Sequence, residues 1–563
     1  MNKLKGFLKH ILLITICFPL GVKAHIGSAG VVQEGRAGNY QVQVYVEPPD
    51  VIPGTAKISV MVDGKDITSV RMSPIYFFTG DEGSPRSDEG ILSTSGSYDG
   101  QIWLMESGAA SVKIMIEGAR GKGEVLIPIA ALSTAQRTLP SSLGWILAGL
   151  ALLLVAVMTT IIGASTGDSL LKEGQLLDQP TKQRRMIGST IGATFCGVLL
   201  FGGNAWWNAE TADYKQFMYK PYTATSTISL SNSGQRILNF KIDSASIDNR
   251  PTSFIIPDHG KLMHMFLVKA GTMDAFAHLH PVRKDSMTFE APLPDLPAGK
   301  YLVYADVLRY HGLQNTIADT VEIASPTPSF PEGKRIEKLP SEGKRTKSEF
   351  DKTPPLGVRG ADSDDTFVVT NALNTKANLQ DAGITICGVA GVKIPLQDGS
   401  SIVWEEKPNQ KLMAGKVYNL KFSVLAPDGK PAELQTYLGM MGHAAVIKDD
   451  GSVYIHLHPN GTFSTTAVQV MQKRISETTQ RPNLTNPKRF RDSVDNIMAK
   501  IQTMTEADRD KFLMGDMKHE SSGHHGGEVN FPYVFPRAGN YRIWLQIKRN
   551  GKILTGVFDA NVI

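Results

Sequence analysis

Histidine is the residue type whose placement in this 563-residue chain is most uneven. Of 13 histidines, eight fall at His264, His278 and His280, at His443, His456 and His458, and at His524 and His525. His259, His311 and His519 lie close to these in sequence. One motif runs Asp258-His-Gly-Lys-Leu-Met-His264 and then Ala277-His-Leu-His-Pro281; the other runs Gly439-Met-Met-Gly-His443 and then Ile455-His-Leu-His-Pro459. From the first histidine to the His-Leu-His pair is 14 residues in one and 13 in the other. Residues i and i+2 of a strand share a face. His278 with His280, and His456 with His458, therefore present two imidazoles together, with the leucine between them turned into a core. His264 and His443 open apolar strands, and a short hairpin brings each back beside its pair. An unpaired imidazole in such a strand is costly, whereas two or three converging ones are ligands for Cu(II) or Zn. Thioethers at Met440 and Met441, or at Met263 and Met265, add soft donors that suit Cu(I). The spacing thus predicts one metal site per motif: His264, His278, His280 and Met263 in the first, and His443, His456, His458, Met440 and Met441 in the second.

Two accessory sources of ligands stand outside the motifs. Met514, Met517, His519, His524 and His525 lie in a Gly/Ser-rich stretch that reads as a metal-gathering arm. His25 follows a basic start (Lys3, Lys5, Lys9), a short apolar core from Ile11 to Val22, and Val22-Lys23-Ala24, a secretory cleavage pattern. Cleavage makes His25 an N-terminus carrying an amine and an imidazole, a pendant ligand without a second histidine nearby.

The elements that position these residues follow from patterning. Tyr40–Val46 and Ala56–Val62 alternate apolar with polar residues between Pro/Gly turns, which predicts a small sandwich over 25–141. Strands near Ile237–Ile242, Leu262–Val268, Tyr301–Leu308 and Asp319–Ile323 predict another over 208–324. Residues 325–365 have linker composition, and 366–563 form the last module. Pro297-Ala-Gly-Lys-Tyr matches Pro536-Arg-Ala-Gly-Asn-Tyr downstream of the two histidine motifs, so the second and third modules are one fold used twice. The later copy carries an insertion over 466–528. Within it Asn486-Pro487 starts a helix whose inner face is Phe490, Val494, Ile497, Ile501 and Met504.

Two unbroken apolar runs of 22 residues, 143–164 and 186–207, are long enough to cross a bilayer as helices. The loop between them carries Lys172, Lys182, Arg184 and Arg185, which places it in the cytoplasm. Gly188 and Gly192 form a small-xxx-small pair for close helix approach. The reading is a signal peptide over 1–24 and a transmembrane hairpin over 142–207, in a multi-pass inner-membrane protein with both flanking regions in the periplasm. The fold class is mainly β: three periplasmic β-sandwich domains of immunoglobulin/cupredoxin-like type plus the two-helix hairpin.

Composition excludes other classes. A net charge of +5 over this length gives no nucleic-acid footprint. Three cysteines, Cys17, Cys196 and Cys387, make no disulfide framework. P-loop, HExxH and CxxC motifs are missing from the sequence, which points to a binding protein and not an enzyme.

The two repeats resemble the small periplasmic sandwiches of bacterial copper-handling proteins, the YtkA-like and FixH-like group. A more distant likeness is to CopC-type and cupredoxin sandwiches. The residues carrying it are Met263-His264, His278-Leu279-His280-Pro281, Met440-Met441-Gly442-His443 and His456-Leu457-His458-Pro459 with the AGxY strand starts, over a little more than half the chain. The resemblance implies copper binding or delivery. Together these readings predict a membrane-anchored copper-binding protein, with zinc as the alternative ion, that sequesters copper or passes it to a metalloenzyme such as an oxidase. Two other readings compete. In one the sandwiches are a metal-free scaffold that docks partner proteins. In the other His25 serves a copper oxidase or oxygenase.

Overall fold

Period-two alternation marks the first strands of this chain. In the computed structural model Tyr40–Glu47 and Gly54–Val62 are strands with every second side chain of their central stretch buried, as a half-buried strand requires. The structure describes residues 30–325 and 362–563, apart from 65, 137–138, 170, 173, 248–249, 374–384, 408–410, 477–485, 506–507, 510 and 513–525. The expected signal segment, His25 and the arm residues Met514, Met517, His519, His524 and His525 lie outside the described residues. Among the described residues the fold is mainly β, with six sheets. Two, of five and four strands, come from residues 31–131; two, of four and six strands, from 224–369; two, of five and four strands, from 387–562.

The histidine-bearing sheets share one topology. His264–Lys269 pairs antiparallel with Ala275–Leu279 on one side and Gly299–Arg309 on the other, and the latter pairs with Gln314–Ile323. His443–Lys448 lies likewise between Tyr454–Leu457 and Gly539–Arg549, which pairs with Lys552–Val562. The first five residues of His264–Lys269 and of His443–Lys448 are buried without alternation, the mark of a strand covered on both faces. Met265, Leu267 and Leu279 enter the apolar core of the first repeat. Ala444, Val446 and Leu457 enter that of the second. The opposite faces meet each other: Phe266, Val268, Phe276 and Tyr304 cluster with Ala445, Ile447, Tyr454 and Trp544. Phe276 stacks on Trp544 at 4.9 Å, and Tyr304 on Tyr454 at 4.3 Å.

Three boundaries differ from the sequence expectation. Thr366–Val369, expected to open the last module, instead pairs with Ala275–Leu279 of the first repeat. Its hydrogen bonds satisfy an edge that would otherwise leave backbone groups exposed. The end of the expected linker is ordered with it: Asp365 accepts from the His280 N–H at 2.8 Å. In the insertion, Pro487–Thr503 is helical and the Asn486 side chain accepts from the Lys488 N–H. Its inner face is Val494, Met498 and Ile501, buried in the core of the first repeat with Phe490 against them. Ile497 is 42% exposed: the buried arc is centred on Val494, Met498 and Ile501, and at about 100° per residue Ile497 falls outside it.

The two apolar helices are Ser141–Asp168 and Gln179–Phe217, both long and apolar enough to cross a membrane. The second outruns its apolar run at the N-terminal end, where Asp178 caps it by accepting from the Thr181 N–H and Pro180 occupies the first turn. The second helix thus begins before Lys182, Arg184 and Arg185. Gly188 and Gly163 are where the helices touch, since an added Cβ would lie 2.0 Å from Thr166 Oγ1 and 2.1 Å from Ser189 Oγ respectively.

Candidate metal centre

The histidines continue the seam between the two repeats. Counting by twos along each strand, Phe266 leads to His264, Phe276 to His278, Ala445 to His443 and Tyr454 to His456. Each apolar contact of the seam is thus followed on the same face by an imidazole. His280 and His458 come one step beyond. The first motif brings its three histidines together as expected, whereas His443 and His458 of the second group with His259 of the first. The two motifs pool their imidazoles in one buried cluster.

Within it, His264, His278 and His280 each offer one ligand atom, all within 4.8 Å of one another. Their hydrogen bonds fix which atoms. His264 Nε2–H donates to the Asp258 carbonyl at 3.2 Å, and a carbonyl can only accept. His278 Nδ1–H donates to Gln546 Oε1 at 2.8 Å, while the Gln546 amide N–H is turned to Thr366 Oγ1. His280 Nδ1–H donates to Asp365 at 2.9 Å. In neutral rings this leaves lone pairs on His264 Nδ1, His278 Nε2 and His280 Nε2. The first two face each other at 3.2 Å, and the third has no hydrogen-bond partner. Two opposed lone pairs repel, but nitrogens bound to one tetrahedral ion at about 2.0–2.1 Å sit about 3.3 Å apart. The donor set and its outer hydrogen bonds fit a metal ion, with carbonyl, amide and carboxylate holding the rings in the arrangement metal-binding histidines use.

A second group draws on both repeats: His259, His443 and His458, again within 4.8 Å of one another. His259 sits on a reverse turn closed by Asp258 and Lys261, with φ of 51° at His259 and 80° at Gly260. The second repeat makes the equivalent turn from Tyr437 to Met440, with φ of 52° at Leu438 and 76° at Gly439. Leu438 thus holds the position that His259 holds in the first repeat. Neither nitrogen of His443 nor of His458 has a hydrogen-bond partner, and both residues are fully buried. His458 is fixed by the turn that follows it. Glu34 donates its N–H to the Asn460 carbonyl at 2.8 Å, and a Cβ on Gly461 would lie 2.1 Å from the Val32 carbonyl oxygen.

His456, expected with His443 and His458, lies between the two groups. Its ring is 5.3 Å from those of His264 and His443 and 4.5 Å from that of His458. Its Nδ1 is 3.7 Å from Asp306 Oδ2, which also accepts from Tyr454 Oη at 2.6 Å. Asp306 stands opposite His264 in the sheet register, as Gln546 stands opposite His443. Each repeat thus sends one polar side chain across the seam to a histidine of the other.

Electrostatics keep the rings neutral. Burial first, and neighbouring imidazoles second, hold His264, His278, His443, His456 and His458 well below the ordinary value of 6.5. Neutral imidazole is the form that binds metals. Burial pushes the Asp306 carboxyl up to about 6 against hydrogen bonds from Thr316 and Tyr454. On the outer side, Lys261 pairs with Asp362 at 2.6 Å and Asp364 at 2.8 Å. Asp364 and Asp365 line an open cleft of about 660 Å³, so the His280–Asp365 pair stands between that cleft and the cluster.

The methionines separate. Met263 is fully buried in the core of the first repeat, with Met265. One residue from His264, it takes the other face of the strand, which corrects its expected role as a ligand. Met440 and Met441 are half-buried at the turn before His443. His259, Asp365, Asp306 and Gln546 were not among the expected site residues. His259 is the one with a sequence signal, in the His-Gly pair that marks a turn before His264.

A family model described as a domain of unknown function (DUF8832) matches residues 397–484, a span that includes His443, His456 and His458. No curated protein matches the chain. Among solved structures, the tetra-tandem repeat in the extending region of a large adhesion protein is similar at 8% identity, over 91% of this chain and 71% of that one, with a TM-score of 0.14. MtrC from Shewanella baltica OS185 is similar at 11% identity, over 50% and 69%, TM-score 0.14. The exo-chitosanase CsxA of Amycolatopsis orientalis is similar at 11%, over 52% and 26%, TM-score 0.13. Likenesses at these scores carry no argument about what this chain does.

Proposed function

We propose that this chain is a membrane-anchored copper-binding protein. A two-helix hairpin holds three exported β-sandwich domains on the periplasmic side, and the seam between the two repeats takes up copper for sequestration or for delivery to a membrane metalloenzyme. The observation that carries the reading is the opposition of His264 Nδ1 and His278 Nε2 at 3.2 Å, with each ring's other nitrogen already committed as a donor. A cation between them turns a repulsion into two bonds. An all-imidazole donor set suits copper and zinc, and the resemblance to copper-handling sandwiches favours copper. Lys182, Arg184 and Arg185 between the two apolar runs support the orientation.

The test is a competitive titration of the detergent-solubilised full chain with Cu(I), Cu(II) and Zn(II). Tight binding of a copper ion that is lost in His264→Ala/His278→Ala is the expected result. Failure of all three ions to bind folded protein overturns the metal reading. Preference for Zn(II) over both copper ions replaces the cargo.

A further inference from the structure

The first group accounts for only part of the buried nitrogen. His443 and His458 have four ring nitrogens without a hydrogen-bond partner, and His456 adds its Nε2. A buried polar atom left without a partner is costly, and native folds hold few of them. Here they sit in one place, with a third ring, that of His259, brought in from the other repeat. The rings of His259 and His458 are 5.2 Å apart and those of His259 and His443 are 5.6 Å apart. His259 is set there by a backbone conformation that L side chains adopt rarely, and the matching turn of the second repeat places Leu438 instead.

We infer that the seam is a two-ion centre: a second copper ion is held across the repeats by His259, His443 and His458, beside the ion on His264, His278 and His280, with His456 the ligand placed between them. This inference rests on the metal reading above. It adds a site that neither motif forms alone, and it makes metal loading a property of the docked pair of repeats. His456 binds both ions as an imidazolate, one ring nitrogen to each and its N–H proton released on loading, so occupancy of one site bears on the other.

The experiment uses the full chain in detergent, loaded with Cu(II), with metal analysis after gel filtration and electron paramagnetic resonance of the product. Two ions per chain with magnetically interacting Cu(II) signals are expected. His259→Asn keeps the turn, because asparagine tolerates positive φ, and is expected to reduce binding to one ion with an isolated signal. His456→Leu is expected to weaken both ions and not one alone. Circular dichroism melts of each variant report on folding, and His458→Gln repeats the test at a second ligand. If wild type binds one ion and His259→Asn leaves that ion unchanged, the two-ion centre is overturned while the first site stands. If His259→Asn still binds two interacting ions, His259 is not a ligand and the cross-repeat site is overturned. If wild type binds no ion, the metal reading itself fails.

Discussion

The two histidine groups lie a ring's width apart yet are built differently. In the first, Asp258, Gln546 and Asp365 engage the outer nitrogens of His264, His278 and His280. In the second, His443 and His458 have no hydrogen bond to either nitrogen. The first group is therefore held in one tautomer and orientation before any ion arrives. The second has its rings in place by packing alone, and only a ligand satisfies them. The difference arises at equivalent positions of the two repeats. Asp306 matches Gln546, and His259 matches Leu438. A symmetric scaffold has thus acquired an asymmetric centre, with a preorganised site next to one that depends on occupancy.

The largest effect should come from removing imidazoles of the preorganised group. His264→Ala with His278→Ala leaves no opposed pair of lone pairs. It should lower affinity for the first ion by more than the roughly 10–100-fold that loss of an outer-shell partner costs. The competitive titration measures it. Retention of wild-type affinity would remove the distinction between the groups, because the pinned tautomers would then serve packing only.

Acid should act next, on both groups together. The folded-state values of His264, His278, His443, His456 and His458 lie well below 6.5, so as pH falls through the unfolded value the unfolded chain takes up protons that the folded chain refuses. Stability is fully present above about pH 6.5 and falls on acidification, by up to about 1.4 kcal/mol per pH unit for each such ring. Asp306 works in the opposite sense. Its folded value near 6 means the folded state takes up a proton first, but it is one group against five. Chemical denaturation of metal-free protein from pH 7.5 to 5 should show the loss. Saturating copper should raise stability across the whole range without flattening the profile, since bound rings still refuse the protons that the unfolded chain takes up. A flat profile in metal-free protein would mean that the rings are reached by water.

Much of this organisation was readable in the residues. The His-x-His pairs are a consequence of strand period, and the repeated Pro-x-Ala-Gly strand starts locate the shared topology. The helix after Asn486-Pro487 starts where its cap and proline place it. What could not be read is what crosses between modules. Nothing local tells that the outer faces of two apolar strands meet each other, so the two sites were expected apart. Asp365 lies 85 residues from His280 in a stretch whose composition is that of a linker. His259 is paired with rings nearly two hundred residues away, and only the His-Gly turn hints at it.

A smaller effect separates positioning from ligation. Asp365→Asn keeps the size of the side chain but weakens its hold on the His280 N–H, so affinity for the first ion should fall within the roughly 10–100-fold range of outer-shell changes. Binding at the second group should hold. Equal weakening of both ions would show that Asp365 acts on the seam as a whole and not through His280.

The smallest effect expected is at Met263, and it bears on the same contrast because Met263 and His264 are neighbours that the strand sends to opposite faces. Met263 is fully buried with Met265, Leu267 and Leu279 in the core of the first repeat. Met263→Leu conserves volume and apolarity, a change that costs less than about 1.5 kcal/mol in a packed core. Affinity for Cu(I) and for Cu(II) should be unchanged, while the melting temperature shifts by a few degrees at most. A selective loss of Cu(I) affinity in this variant would mean that the thioether reaches the cluster, and the all-nitrogen description of the first site would have to give way to a mixed nitrogen–sulfur one.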